Sequence, residues 1–173
     1  MRTLPPYRSA AVASLSLSVV ALVTLAACGG GGGGPTAPGG RASVGAVESS
    51  SWGLINRARR DADRPDLNLD PVLSEVARRY SERMRDEGFF GHVDPSGGDA
   101  VSRAHSVGIG FSMIGENLAT VSHAADPAGV AHGLLMSNAE HRANILDGRF
   151  RDVGVGVATN GDTFWITQIF LRP

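Results

Sequence analysis

Lysine is missing from the 173 residues, and all sixteen basic side chains are arginine. Its absence excludes Schiff-base chemistry and any phosphate loop that depends on a lysine. Cysteine occurs once, at Cys28, so no disulfide can close within the chain and no thiolate cage can hold a metal. Charge of either sign is not in excess. Sixteen arginines stand against seventeen acids, a net charge of −1, without the basic surplus that duplex nucleic acid demands. No nucleic-acid partner is expected. The motifs H-E-x-x-H and G-x-S-x-G do not occur, which removes the known zincin and nucleophile-elbow routes to hydrolysis. Asp61, Asp63 and Asp66 lack the spacing of an EF-hand loop and read as solvated charges. What remains is a chain with 42% hydrophobic residues, enough for one ordinary globular core, and no internal repeat.

The beginning of the chain reads as an address. Arg2 and Arg8 precede an uncharged run from Ala10 to Ala27, the n-region and h-region of a secretory signal. Its serines and its length make it a poor membrane span. The run ends Leu25-Ala26-Ala27-Cys28, which resembles the lipobox of bacterial lipoproteins, whose cysteine is acylated and becomes the new N-terminus. Six glycines follow, then a Pro/Gly-rich stretch to about Ala46. Such a composition forms a tether with a mean reach of roughly 21–25 Å. The sequence therefore divides into a leader over 1–27, an acylated Cys28 with its tether over 28–45, and a domain over 46–173. The expected partner is a membrane, and the expected location is the cell envelope, outside the cytoplasm.

From Ala46 the pattern becomes periodic. Val47, Ser51, Leu54, Ala58 and Ala62 share a helical face over 46–62, with Arg57, Arg59, Arg60 and Asp61 on the other side. Asp70-Pro71 opens a second helix over 71–87, with Leu73, Val76, Ala77, Tyr80 and Met84 as its apolar stripe and Gly88 as its stop. A short helix is expected over 99–107. A fourth begins near Pro127 and places Val130, Ala131, Leu134, Leu135, Asn138 and His141 on one side. Residues 152–158 alternate, Asn160-Gly161 marks a turn, and 163–171 is rich in aromatic and β-branched residues, which predicts an antiparallel hairpin. Gly154 and Gly156 strip one face of its first strand so that another element can approach. Helices before a sheet indicate an α+β fold.

Three chemically capable residues sit in unusual settings. His92 lies in a turn after the second helix, Glu116 is an acid in an apolar run, and His141 shares a helical face with apolar residues. His105, His123 and His132 read as hydrogen-bonded core histidines. The segments Leu54-Ile55-Asn56, Phe90-Gly91-His92-x-x-Pro95, Gly115-Glu116-Asn117-Leu118-Ala119, Asn138-x-x-His141-Arg142-Ala143-Asn144-Ile145-Leu146 and Trp165-Ile166-Thr167-Gln168 carry a resemblance, in order across 46–173. They resemble the bacterial branch of the CAP superfamily, the SCP-like domains named for cysteine-rich secretory proteins, antigen 5 and pathogenesis-related proteins. The resemblance implies an α-β-α sandwich with a central antiparallel sheet flanked by helices. It also implies a cleft holding two histidines and two acids, matched here by His92, His141 and Glu116. The second acid falls at Asn138 and the family's tryptophan at Leu135, and the disulfides of the eukaryotic members are absent.

These residues set two expectations. The first is a non-catalytic binding module whose cleft, formed by His92, Glu116, Asn138 and His141, takes a lipid, glycan or protein ligand and holds a divalent cation such as zinc weakly through His92, His141 and Glu116. The second is a metal-assisted peptidase or esterase with Glu116 as its general base and catalytic residue. The lost second acid weakens proton transfer more than it weakens binding, which favours the first.

Overall fold

The computed structural model of the chain describes residues 42–173. The leader, Cys28 and most of the tether therefore lie outside the described residues. Five helices and four strands follow one another as α1 Val44–Asp61, β1 Asn68–Leu69, α2 Pro71–Glu87, α3 Ala100–Ser106, β2 Met113–Ser122, α4 Pro127–Ser137, α5 Ala139–Leu146, β3 Asp152–Thr159 and β4 Thr163–Arg172. The sheet order is β1-β3-β4-β2. β3 and β4 form the expected hairpin, β2 adds antiparallel to β4, and the two residues of β1 pair parallel to β3. The fold is α+β.

Alternation along the strands explains the layers. Val153, Val155, Val157, Phe164, Ile166, Phe170, Ala119 and Val121 face α1, α4 and α5 in the larger core. Ile169 and Leu171 face α2 instead, packing on Leu73, Val76 and Ala77, while Leu118 packs on Tyr80 and Met84. On that face a Cβ at Gly154 would stand 2.4 Å from the Leu73 carbonyl carbon, and one at Gly156 would stand 1.9 Å from the Arg78 nitrogen. The backbone of α2 lies directly on the stripped strand.

α2 matches its sequence signals closely. The Asp70 side chain accepts from Val72 N at 2.8 Å and Leu73 N at 2.9 Å, Pro71 occupies the first turn, and Gly88 ends the helix at φ 69°. Two other helices depart from the reading. In α1 the buried residues are Val47, Ser51, Ile55, Asn56 and Arg59, so the inward face is rotated and Arg59, expected outside, is fully buried. The cause is the returning segment 62–67, whose backbone needs partners. Asn56 exchanges two hydrogen bonds with Leu67 (3.0 and 2.8 Å), and Arg59 Nε donates to Pro65 O at 2.7 Å.

The expected fourth helix is two. Backbone at Asn138 becomes extended (φ −88°, ψ 129°), ending α4, and its side chain caps α5 by accepting from Glu140 N at 2.9 Å and His141 N at 3.1 Å. An asparagine that can cap a new helix competes with continuation of the old one. The consequence is that α4 buries Pro127, Ala128, Ala131 and Leu135, while Val130 and Leu134 are exposed and share no face with His141.

Candidate functional site

β2 is an edge strand, and two of its neighbours in sequence point to opposite faces. Glu116 faces the α2–α3 side and Asn117 the α5 side. His92 and His141 come from those two sides, with ring centroids 6.2 Å apart and planes tilted by 47°.

On the first side Glu116 is the centre, with only 5% of its side chain exposed. Its Oε1 is 2.9 Å from His92 Nδ1, and its Oε2 accepts from Arg103 at 2.5 Å. Arg103 also donates to Gly98 O at 3.1 Å and lies over the Tyr80 ring, 3.3 Å from its centroid. The Tyr80 hydroxyl donates to Gly91 O, next to His92. Asp94 fixes the remainder of that loop, accepting from Ser96 N, Ser96 Oγ and Gly98 N and pairing with Arg83 at 2.5 Å. The Ser96 hydrogen bonds above all, with backbone amides and Arg83 adding to them, pull the Asp94 carboxyl down to about 2. His92 itself stays 54% exposed at the mouth.

On the second side amides take the place of charges. His141 Nδ1 lies 3.2 Å from Asn117 Oδ1. Asn117 Nδ2 donates to His141 O at 3.1 Å and to Gln168 Oε1 at 3.3 Å. Asn144 Nδ2 donates to Asn117 Oδ1 at 3.0 Å and to Glu116 O at 3.2 Å. Burial, with a smaller contribution from the neighbouring His92, holds His141 below the ordinary imidazole range.

The structure thus brings His92, Glu116 and His141 together, and turns Asn138 to a different task as the cap of α5. Among the described residues no three His, Cys, Asp or Glu side chains converge as metal ligands. Glu116 is held through one oxygen by Arg103 and meets His92 through the other, the contact by which a carboxylate orients an imidazole. His105 and His123 are exposed, the former stacked on Phe111, and half-buried His132 has no partner at Nδ1, so none is the hydrogen-bonded core residue expected. Arg103, Asn117, Asn144 and Gln168 escaped the sequence reading as site residues. For Asn117, Asn144 and Gln168 the only signal was membership of the matched segments, and Arg103 had none, since nothing in their spacing announces contacts made through the sheet.

Comparison with known proteins agrees with this fold. YkwD of Bacillus subtilis (strain 168), described as an uncharacterized protein, is 32% identical over 126 residues, which are 73% of this chain and 48% of that relative. The chain thus spans about half the length of that relative. The crystal structure of an extracellular protein containing an SCP domain from Bacillus anthracis superposes with a TM-score of 0.66 at 28% identity, covering 75% of this chain and 41% of that one. An outer surface protein from Borrelia burgdorferi shares the fold at 15% identity, with a TM-score of 0.68 over 78% of this chain and 98% of its own. The profile described as CAP: Cysteine-rich secretory protein family matches residues 52–170, a span that includes every site residue named above. This chain belongs to the cysteine-rich secretory protein (CAP) family.

Proposed function

We propose that the protein is an extracytoplasmic, lipid-anchored binding module whose cleft holds a divalent cation weakly through His92 and His141. One observation carries this reading. Both imidazoles spend Nδ1 on the protein and leave Nε2 without a partner among the described residues, 6.2 Å apart between ring centroids. Two imidazoles suit zinc, and the carboxylate behind His92 matches the usual orienting partner of a metal-bound histidine. A bound cation would supply Lewis acidity and open coordination positions to a ligand. With only two protein ligands its affinity is low. Glu116 then orients His92 and is not a ligand, and the ligand itself is a lipid, glycan or protein of the envelope.

Calorimetric titration of the chain with zinc tests the reading. Uptake by the parent, and its loss in His92→Ala and His141→Ala, supports it. No uptake, or equal uptake by all three, overturns the metal claim. Hydrolysis of a peptide or ester panel in a Glu116-dependent way would replace the binding module by the hydrolase. Anchoring has its own test, because Leu25-Ala26-Ala27-Cys28 supports acylation of Cys28. Cys28→Ser should move the protein from the detergent phase to the aqueous phase, and equal partitioning of mutant and parent would exclude the anchor.

A further inference from the structure

The proton on each cleft imidazole is decided by groups that have no choice. Glu116 is a carboxylate and only accepts, so in the contact with His92 Nδ1 the hydrogen belongs to the ring. Arg103, bonded to the other oxygen and stacked on Tyr80, fixes the direction in which that carboxylate faces. Across the sheet, Asn117 Nδ2 is aimed at the main-chain carbonyl of His141, which cannot donate. That contact fixes which end of the amide is oxygen. The same orientation is required a second time, because Asn144 Nδ2, itself bonded to the Glu116 carbonyl, also reaches Asn117 Oδ1. Asn117 Oδ1 therefore accepts, and His141 Nδ1 carries the hydrogen.

We infer that Arg103 and Asn117 are positioning residues that lock both neutral imidazoles in the Nδ1–H tautomer. Two unrelated devices, an ion pair on one face of β2 and an amide network on the other, produce the same result. The cleft then presents a pair of unprotonated Nε2 atoms. Such a pair takes an electron-pair acceptor, a divalent cation, and has nothing to offer an electron-rich anion while the cation is absent. The assignment adds to the cleft reading the residues that set its selectivity, and it holds for the metal-free protein whether or not zinc binds.

Nitrogen-15 spectra of the imidazoles in the chelator-treated chain, above pH 7.5, read the tautomers directly. The expected result is the Nδ1–H pattern for both His92 and His141, and no binding of inorganic phosphate by the metal-free chain. Arg103→Gln should mix the His92 tautomers and leave His141 unchanged, and Asn117→Leu should do the reverse. Asn117→Asp, which keeps an acceptor at the same place, should restore the Nδ1–H form of His141 and serves if the leucine variant fails to fold. Each unlocking variant should lose about tenfold or more in zinc affinity, the usual cost of removing an orienting partner. An Nε2–H ring in the parent overturns the proposal, as do Nδ1–H rings that persist in both unlocking variants. Locked rings in a chain that takes up no zinc uphold it and reject the metal reading alone.

Discussion

At the scale of single residues the protein is governed by where its arginines go. Arg59 is fully buried and donates to Pro65 O, Ile145 O at 2.8 Å and Asp147 O at 3.0 Å, tying α1 to the end of α5. Burial lowers its affinity for the proton, but a guanidinium stays charged. Arg59→Met should therefore cost about 3 kcal/mol, because three carbonyls lose a charged donor while the apolar stem is kept, and urea unfolding would measure it. A cost below about 1 kcal/mol would mean that water replaces the guanidinium. Neither the burial of Arg59 nor the role of Arg103 is legible in the sequence. A charged residue on an amphipathic helix reads as solvent-facing by default, and only the tertiary placement of carbonyls or of Glu116 reverses that.

Among the elements, the sequence was most informative where one local signal acted alone. α2 has a cap, a first-turn proline, a clean stripe and a glycine stop, and each agrees with the structure. The hairpin was equally plain, with Gly161 at φ 102° in its turn. β2 does not announce itself in the sequence because it is flanked on both faces and shows no alternation of polar with apolar residues. The break at Asn138 was hidden because the apolar period runs on through it, and only the capping geometry decides between one helix and two. Glycine substitutions test these placements. Gly156→Ala should cost at least about 2 kcal/mol, or prevent folding, since the strand cannot retreat from the α2 backbone. Gly53→Ala, in α1 with nothing within 4 Å of its added methyl, should stabilise by about 0.5–1 kcal/mol. Thermal or urea unfolding of the two variants would compare them, and effects of similar size would contradict the described packing.

At the scale of the whole molecule, the core spans from Val47 to Phe170, so a chain beginning at Ala42 should unfold in one cooperative transition. A dye-binding product without a transition would contradict this. Its stability should depend on pH in two acid steps. His141 and His132 have folded values below the ordinary 6.5, both chiefly through burial, so the unfolded chain takes up those protons first. Their contribution is complete above 6.5 and is lost as pH falls below it. Asp94, at about 2 against an ordinary 3.8, contributes above 3.8 and fades as pH falls toward 2. The melting temperature followed from pH 8 to pH 2 should be flat, then fall in both windows. His141→Gln should shrink the first fall without touching the second.

The same imidazoles give the most direct test of the cleft. Zinc must displace a proton from each histidine it binds, once the pH is low enough for that histidine to be protonated. Calorimetric zinc titrations of the chain in buffers of different ionisation enthalpy, between pH 7.5 and pH 5, count those protons. Zinc held by histidine nitrogens predicts almost no proton release at pH 7.5, release that grows as the pH falls, and an affinity that weakens with it. Proton release and an affinity that do not change with pH would contradict the account.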